Sequence, residues 1–127
     1  MIFRPIRKKI DYELKIKIDG HRLRPSKVVK YLGVYIDEHL NWKYHINFIC
    51  NKLKRANGAL SKLRHYVDKK TLTSLYFSFF HSHVSYASRI WGQHQTLQTR
   101  RVLILQKQAL RIMSFSDFRA HSFPSFF

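Results

Sequence analysis

Few residues in this chain are of types that could carry chemistry, and their spacing decides against most of it. Two-metal phosphoryl transfer needs at least two carboxylates around the ions, and the only adjacent acids are Asp37 and Glu38. On a strand those two point to opposite faces, and they stand just ahead of a helical pattern, so a turn or helix-dipole role is expected of them. His81 and His83 form an HSH pair that could share a metal on a strand, but on a helix the two rings diverge by about 200°. With no third ligand evident, no metal site is expected. Cys50 falls beside an apolar stripe and is expected to be a small core residue rather than a nucleophile. There is no GxGxxG and no GK[ST], so neither phosphate-cradling loop is present. No catalytic residue and no cofactor is expected of this chain by itself.

Charge gives the stronger signal. The chain has 24 Lys plus Arg against 7 Asp plus Glu, a formal net charge of +17, which calls for a polyanionic partner. Nucleic acid leads; an anionic membrane surface is the competitor, yet no apolar run approaches the roughly 20 residues a spanning helix needs. The start, MIFRPIRKKI, lacks the apolar core and cleavage site of a secretory signal. A lone cysteine excludes an intrachain disulfide and is compatible with a reducing compartment. Acids are absent between Glu38 and Asp68 and again between Asp68 and Asp117. In the first window stand Lys43, Lys52, Lys54, Arg55, Lys62 and Arg64, of which Lys54, Arg55 and Lys62 lie off the apolar stripe. A basic helix face is ordinarily just solvated, but such faces carry acids as well, and here there are none. In the second window Arg100, Lys107 and Arg111 share a side with Ile104, a strip of the kind that tracks a phosphate backbone. Contacts of this sort fix position without reading sequence. Trp42, Tyr44, Tyr66, Tyr76 and Trp91 could stack on bases, but helical spacing assigns Tyr76 and Trp91 to the core, while Tyr31 and Tyr35 stay open.

The elements that must position these residues follow from periodicity. At 127 residues and 45% apolar content the chain suits a small α+β fold. In the first ten residues Pro5 argues against an interior strand, and Arg4, Arg7, Lys8 and Lys9 are expected to stay wet. YELKIKI (12–18) alternates like a strand, Asp19-Gly20 is the pair a type I′ turn selects, and the chain resumes at His21. Residues 27–37 supply a third strand, giving a three-stranded antiparallel sheet in which Tyr31, Gly33 and Tyr35 alternate with Leu32, Val34 and Ile36. Asn41 is expected to cap a helix starting near Trp42 and running to about Tyr66, with Ile46, Ile49, Leu53, Ala56, Leu60 and Leu63 as its stripe. Gly58 is read as a close approach of another helix. Asp68 is the next N-cap, for a helix to about Tyr86 carrying Leu72, Leu75, Tyr76, Phe79 and Phe80 inward, and Gly92 ends the run RIWG. A third helix over 97–113 buries Val102, Leu105, Ala109 and Ile112, with Leu103, Ile104, Leu110 and Met113 widening its apolar side. The chain thus divides into a β region (1–41), a bundle of about three amphipathic helices (42–113) and an irregular tail (114–127).

The blocks KYLGVYIDEHLNWKYHI, KLKRANGALSKLR, LYFSFFHSHVSYASRIWG and LQKQALRIM, taken in order, resemble the downstream part of the reverse transcriptases of jockey-like non-LTR retrotransposons. The resemblance covers nearly the whole chain and rests on the joint order and spacing of the blocks, each weak alone. It implies that Tyr31, Leu32 and Gly33 are primer-grip positions at the end of the polymerase palm and that the helices are thumb-like. The family's paired aspartates lie upstream of residue 1. The resemblance therefore implies a partial copy of the element, cropped at both ends, without palm and fingers and inactive as a polymerase alone. Divalent metal is implied only for the complete polymerase. The expected function is a nucleic-acid-binding C-terminal fragment of an RNA-directed DNA polymerase that grips the RNA/DNA primer-template backbone through Lys52, Lys54, Arg55, Lys62, Arg64, Arg100, Lys107 and Arg111, with no membrane partner. The alternatives are a basic, non-catalytic protein-interaction or structural module and a mobile-element remnant without function.

Overall fold

The computed structural model describes residues 1–7, 16–86, 88–92 and 97–114. These fall into two compact units, Met1–His45 and Ile46–Phe127, and the fold is a small α+β one. The expected strand over 12–18 lies mostly outside the described residues, as does the tail after Ser114.

In the first unit, β1 (Lys17–Ile18) and β2 (His21–Arg22) pair in antiparallel register, Ile18 opposite His21. Asp19 and Gly20 between them have φ of 47° and 78°, the positive pair that a type I′ turn requires, as the Asp-Gly sequence predicts. The next stretch departs from expectation. Residues 27–37 are not one strand of a three-stranded sheet but a second hairpin, β3 (Val28–Tyr31) and β4 (Val34–Asp37), with Tyr31 opposite Val34. Its turn residues are Leu32 and Gly33, at φ of 45° and 79°. The alternation YLGVY reads equally well as one strand or as two short arms when the first turn residue is apolar. Only Gly33, free to take positive φ, marks the reversal. Tyr31, Leu32 and Gly33 thus form an exposed hairpin tip, with Leu32 72% exposed, rather than the interior of one continuous strand.

The chain leaves β4 through a loop that Asp37 organises. Its Oδ1 accepts the amides of His39 (3.0 Å) and Asn41 (3.2 Å), and its Oδ2 accepts that of Trp42 (3.1 Å). Asn41 does accept the Lys43 amide (3.1 Å), yet Trp42 sits at φ 61° outside the helix, which starts one residue later than expected. Beside this loop Arg4, expected to stay wet, makes a two-pronged contact with Glu38, Nε to Oε2 at 3.0 Å and Nη2 to Oε1 at 3.3 Å. The Arg4 amide donates to the Glu38 carbonyl (2.9 Å), and Nδ1–H of His39 donates to the Arg4 carbonyl (2.9 Å). The Arg4 guanidinium lowers the Glu38 carboxyl below its ordinary value.

His45 was not singled out by sequence, yet it is fully buried and its Nδ1 accepts the Tyr35 amide (3.3 Å). Burial lowers its pKa from the ordinary 6.5, so the native imidazole resists a proton that the unfolded chain takes up. Between the two values the unfolded state binds more protons. This contribution to stability is therefore present above pH 6.5 and lost as pH falls below it. Urea denaturation should give a lower midpoint at mildly acidic pH than at neutral pH, with His45→Gln flattening the difference; a pH-independent midpoint for the parent chain would contradict the assignment.

The second unit is helical. In α1 (Lys43–Leu63) the stripe Ile46, Ile49, Leu53, Ala56 and Leu60 is buried at three- and four-residue spacing, joined by Cys50 and Asn57. Gly58 does not mark a close approach: it is exposed, and a Cβ there would meet nothing within 4 Å. Asp68 caps α2 (Lys69–Tyr76) as predicted, accepting the Lys70 (3.1 Å) and Thr71 (3.4 Å) amides. The continuous helix expected to follow is interrupted by a π turn, Phe77–His81, before α3 (Ser82–Ser85). A π turn closes its rings with one more residue than an α turn, so the inward stripe passes from Leu72 and Tyr76 to Phe80. Phe79, expected inside, is 51% exposed.

The short α4 (Ser88–Trp91) buries Trp91, whose indole N–H donates to the Tyr86 carbonyl (3.0 Å). It ends at Gly92, where a side chain would run into the Ser88 carbonyl. In α5 (Leu97–Ser114) Val102, Leu105 and Ala109 are buried, whereas Leu103 and Ile104 are exposed and do not widen the packed side. Buried Asn57 donates its amide to the Leu105 carbonyl (3.0 Å) and so ties α1 to α5. None of the described helices is long and apolar enough to cross a membrane.

Candidate nucleic-acid interface

The basic residues singled out in the sequence divide by element. On α1, Lys54, Arg55 and Lys62 are exposed and Lys52 is partly exposed. At about 100° per residue, Lys52, Arg55 and Lys62 fall within one arc of roughly 80° on the side away from the buried stripe. Lys54 stands about 100° from Arg55, on the flank. None of these four makes an ion pair among the described residues. Arg64 follows the helix in a turn and donates Nε–H to His65 Nε2 (3.2 Å). On α5, Arg100 and Lys107 are exposed and Arg111 is half-buried. Over residues 46–114 Asp68 is the only acid, and it is committed to capping α2. With no acid paired to them among the described residues, the positive potential over these faces is essentially that of the lysines and arginines themselves.

The structure also brings together residues that the sequence left apart. Lys52, Arg55, Ala56 and Ala59 of α1 and Phe79 and His83 of the π-turn region line one open cleft of about 330 Å³. The ammonium of Lys52 lies 5.1 Å from the Phe48 ring centroid, a cation–π distance. His83 is half-buried; burial first, then the charge of Lys52, hold its pKa below the ordinary value. Neither Phe79 nor His83 was picked out as a binding residue. The only available signal was the aromatic and histidine density of FSFFHSH, since a helical wheel drawn without the π turn sends Phe79 inward.

The weaker chemical candidates resolve into structural roles. Asp37 is buried and engaged with backbone amides, and Glu38 is engaged by Arg4, so neither fits the pair of ligands that divalent ions would need. His81 packs edge-on against Phe77 (5.4 Å between centroids), while His83, two residues on, lines the cleft. Among the described residues no three His, Cys, Asp or Glu side chains cluster as metal ligands do. The Cys50 thiol is fully buried, and burial raises its pKa, which keeps it protonated and unreactive. Tyr76 and Trp91 are core, as expected. No family model, curated protein or solved structure matches the chain.

Proposed function

We propose that this chain binds nucleic acid without carrying a catalytic centre, holding the sugar-phosphate backbone against the basic faces of α1 and α5. The observation that carries this reading is the scarcity of acids in the helical unit, Asp68 being the only one over residues 46–114, with Lys52, Lys54, Arg55 and Lys62 in no ion pair among the described residues, on the side of α1 opposite its core or on its flank. Folded domains ordinarily offset such charge locally, so its persistence favours an external polyanion. The resemblance to the thumb-like part of non-LTR retrotransposon reverse transcriptases supports the same reading and suggests primer-template as the ligand. In that reading the exposed tip formed by Tyr31, Leu32 and Gly33 offers a further contact, and the RNA-directed DNA polymerase chemistry belongs to palm carboxylates that are not among these residues.

Binding to a labelled RNA–DNA duplex, titrated against salt, should fall steeply, with a slope of roughly −0.9 per phosphate neutralised. Combined Lys54→Glu, Arg55→Glu and Lys62→Glu should lower affinity about a hundredfold, equally for unrelated sequences. A flat salt dependence, or full affinity in the triple variant, would remove nucleic acid as the partner of this face. A second reading, docking of a protein partner, draws on Leu103 and Ile104, which α5 leaves in solvent. It would be favoured by undiminished solubility together with no measurable affinity for any nucleic acid.

A further inference from the structure

We infer that the cleft beside Phe79 receives one unpaired nucleotide of a single strand, its base against the Phe79 ring and its phosphate between Lys52 and Arg55. This rests on the reading that the α1 face meets nucleic acid, and it adds the class of strand that one part of the face selects. The size of the cleft is the first support. At about 330 Å³ it lies at the low end of the roughly 300–1,000 Å³ of small-ligand pockets, room for one nucleotide. A duplex keeps its base faces stacked inside and has none to offer a ring on a protein wall. The floor explains the space: Ala56 and Ala59 are small, and longer side chains there would fill it.

The walls supply the two contacts that single-strand binding uses, an aromatic face and a cationic track. Phe79 leaves half of its surface in solvent beside Phe80, which leaves none, so the exposed ring is not a packing residue. Lys52 and Arg55 are one helical turn apart, and no acid among the described residues pairs with either. His83 completes the lining, and its ring N–H can donate to a phosphate or a base edge, with burial and the charge of Lys52 holding its pKa below the ordinary value. The π turn is what points Phe79 at the cleft, and π turns concentrate at functional sites.

The test uses the full chain and two fluorescein-labelled probes, a short oligothymidylate and the same strand annealed to its complement, read by anisotropy at one salt concentration. Phe79→Ala and Phe79→Leu should each weaken oligothymidylate binding by about tenfold while leaving the duplex unchanged, and Phe79→Trp should retain the wild-type affinity. Arg55→Gln should weaken both probes. If Phe79→Ala binds the single strand as the wild type does, or loses both probes equally, the inference is wrong while the basic-face reading stands. If the wild type binds neither probe, both fall together. Because Phe79 is exposed, thermal unfolding of its variants should match the parent, and a variant that melts early is replaced by Phe79→Leu for the comparison.

Discussion

Asp37→Ala should release the loop between β4 and α1 and cost about 3–5 kcal/mol, because one carboxylate there serves the His39, Asn41 and Trp42 amides. Asp37 as a whole is 3% exposed, so water does not readily take over the donors it would abandon. The loop also carries Leu40 and Trp42 at φ of 53° and 61°, a left-handed conformation that costs a non-glycine residue roughly 1 kcal/mol or more each. Without the acceptor the strain is left to the Leu40 amide on the Asp37 carbonyl (3.1 Å) and to the contacts of Arg4 with Glu38 and His39. Asp37→Asn keeps one acceptor oxygen but turns an amide group toward remaining donors, so an intermediate loss is expected. Hydrogen exchange locates the effect: the Asn41 and Trp42 amides should lose protection while α5 keeps its own. Unchanged protection at Trp42 in Asp37→Ala would show that the carboxylate is not what holds the loop.

Phe80→Ala should cost the helical unit a similar amount, about 3–5 kcal/mol. Phe80 is fully buried, and Tyr76 stacks on it with centroids 5.3 Å apart and planes 15° apart. Alanine removes the ring from both the core and the stack, and the irregular π turn limits how far the backbone can collapse into the gap. Phe80→Leu, which keeps most of the volume, should lose much less. Phe79→Ala, one residue away, should change stability by no more than about 0.5 kcal/mol. Urea unfolding followed by far-ultraviolet circular dichroism separates the pair. Equal losses for the two phenylalanines would mean that the helix continues without the π turn.

What could be read from sequence, and what could not, follows from how local each signal is. Asp19-Gly20 and Asp68 are short-range devices, a turn pair and an N-cap, and both appear where the sequence places them. The α1 stripe from Ile46 to Leu60 is equally local, since its spacing alone selects the buried side. The second hairpin escaped because its turn begins with leucine, which removes the polar punctuation that betrays Asp19-Gly20. The turn role expected of Asp37 is present, but the amides it serves, like the burial of His45, escaped for a different reason. A buried carboxylate serving main-chain amides, and a buried imidazole accepting one, depend on a loop path that no periodicity encodes. The basic faces were legible because charge needs no fold to be counted, while the Phe79 cleft was not, because the π turn decides where that ring points.

That π turn amounts to one residue too many in a helix that is otherwise regular on both sides. Deleting a residue from this turn would restore ordinary helical closure, and because a π turn takes up its extra residue within about one turn, the helix beyond it would keep its bearing relative to α2. His83 would keep its place in the lining it shares with Lys52 and Arg55, and only the turn's own residues, Phe79 among them, would change direction. The aromatic wall of the cleft can therefore arise or vanish through a single in-frame codon insertion or deletion, with the helical scaffold left standing. A binding surface of this kind is acquired by slippage of the reading of one helix rather than by replacing the residues that line it.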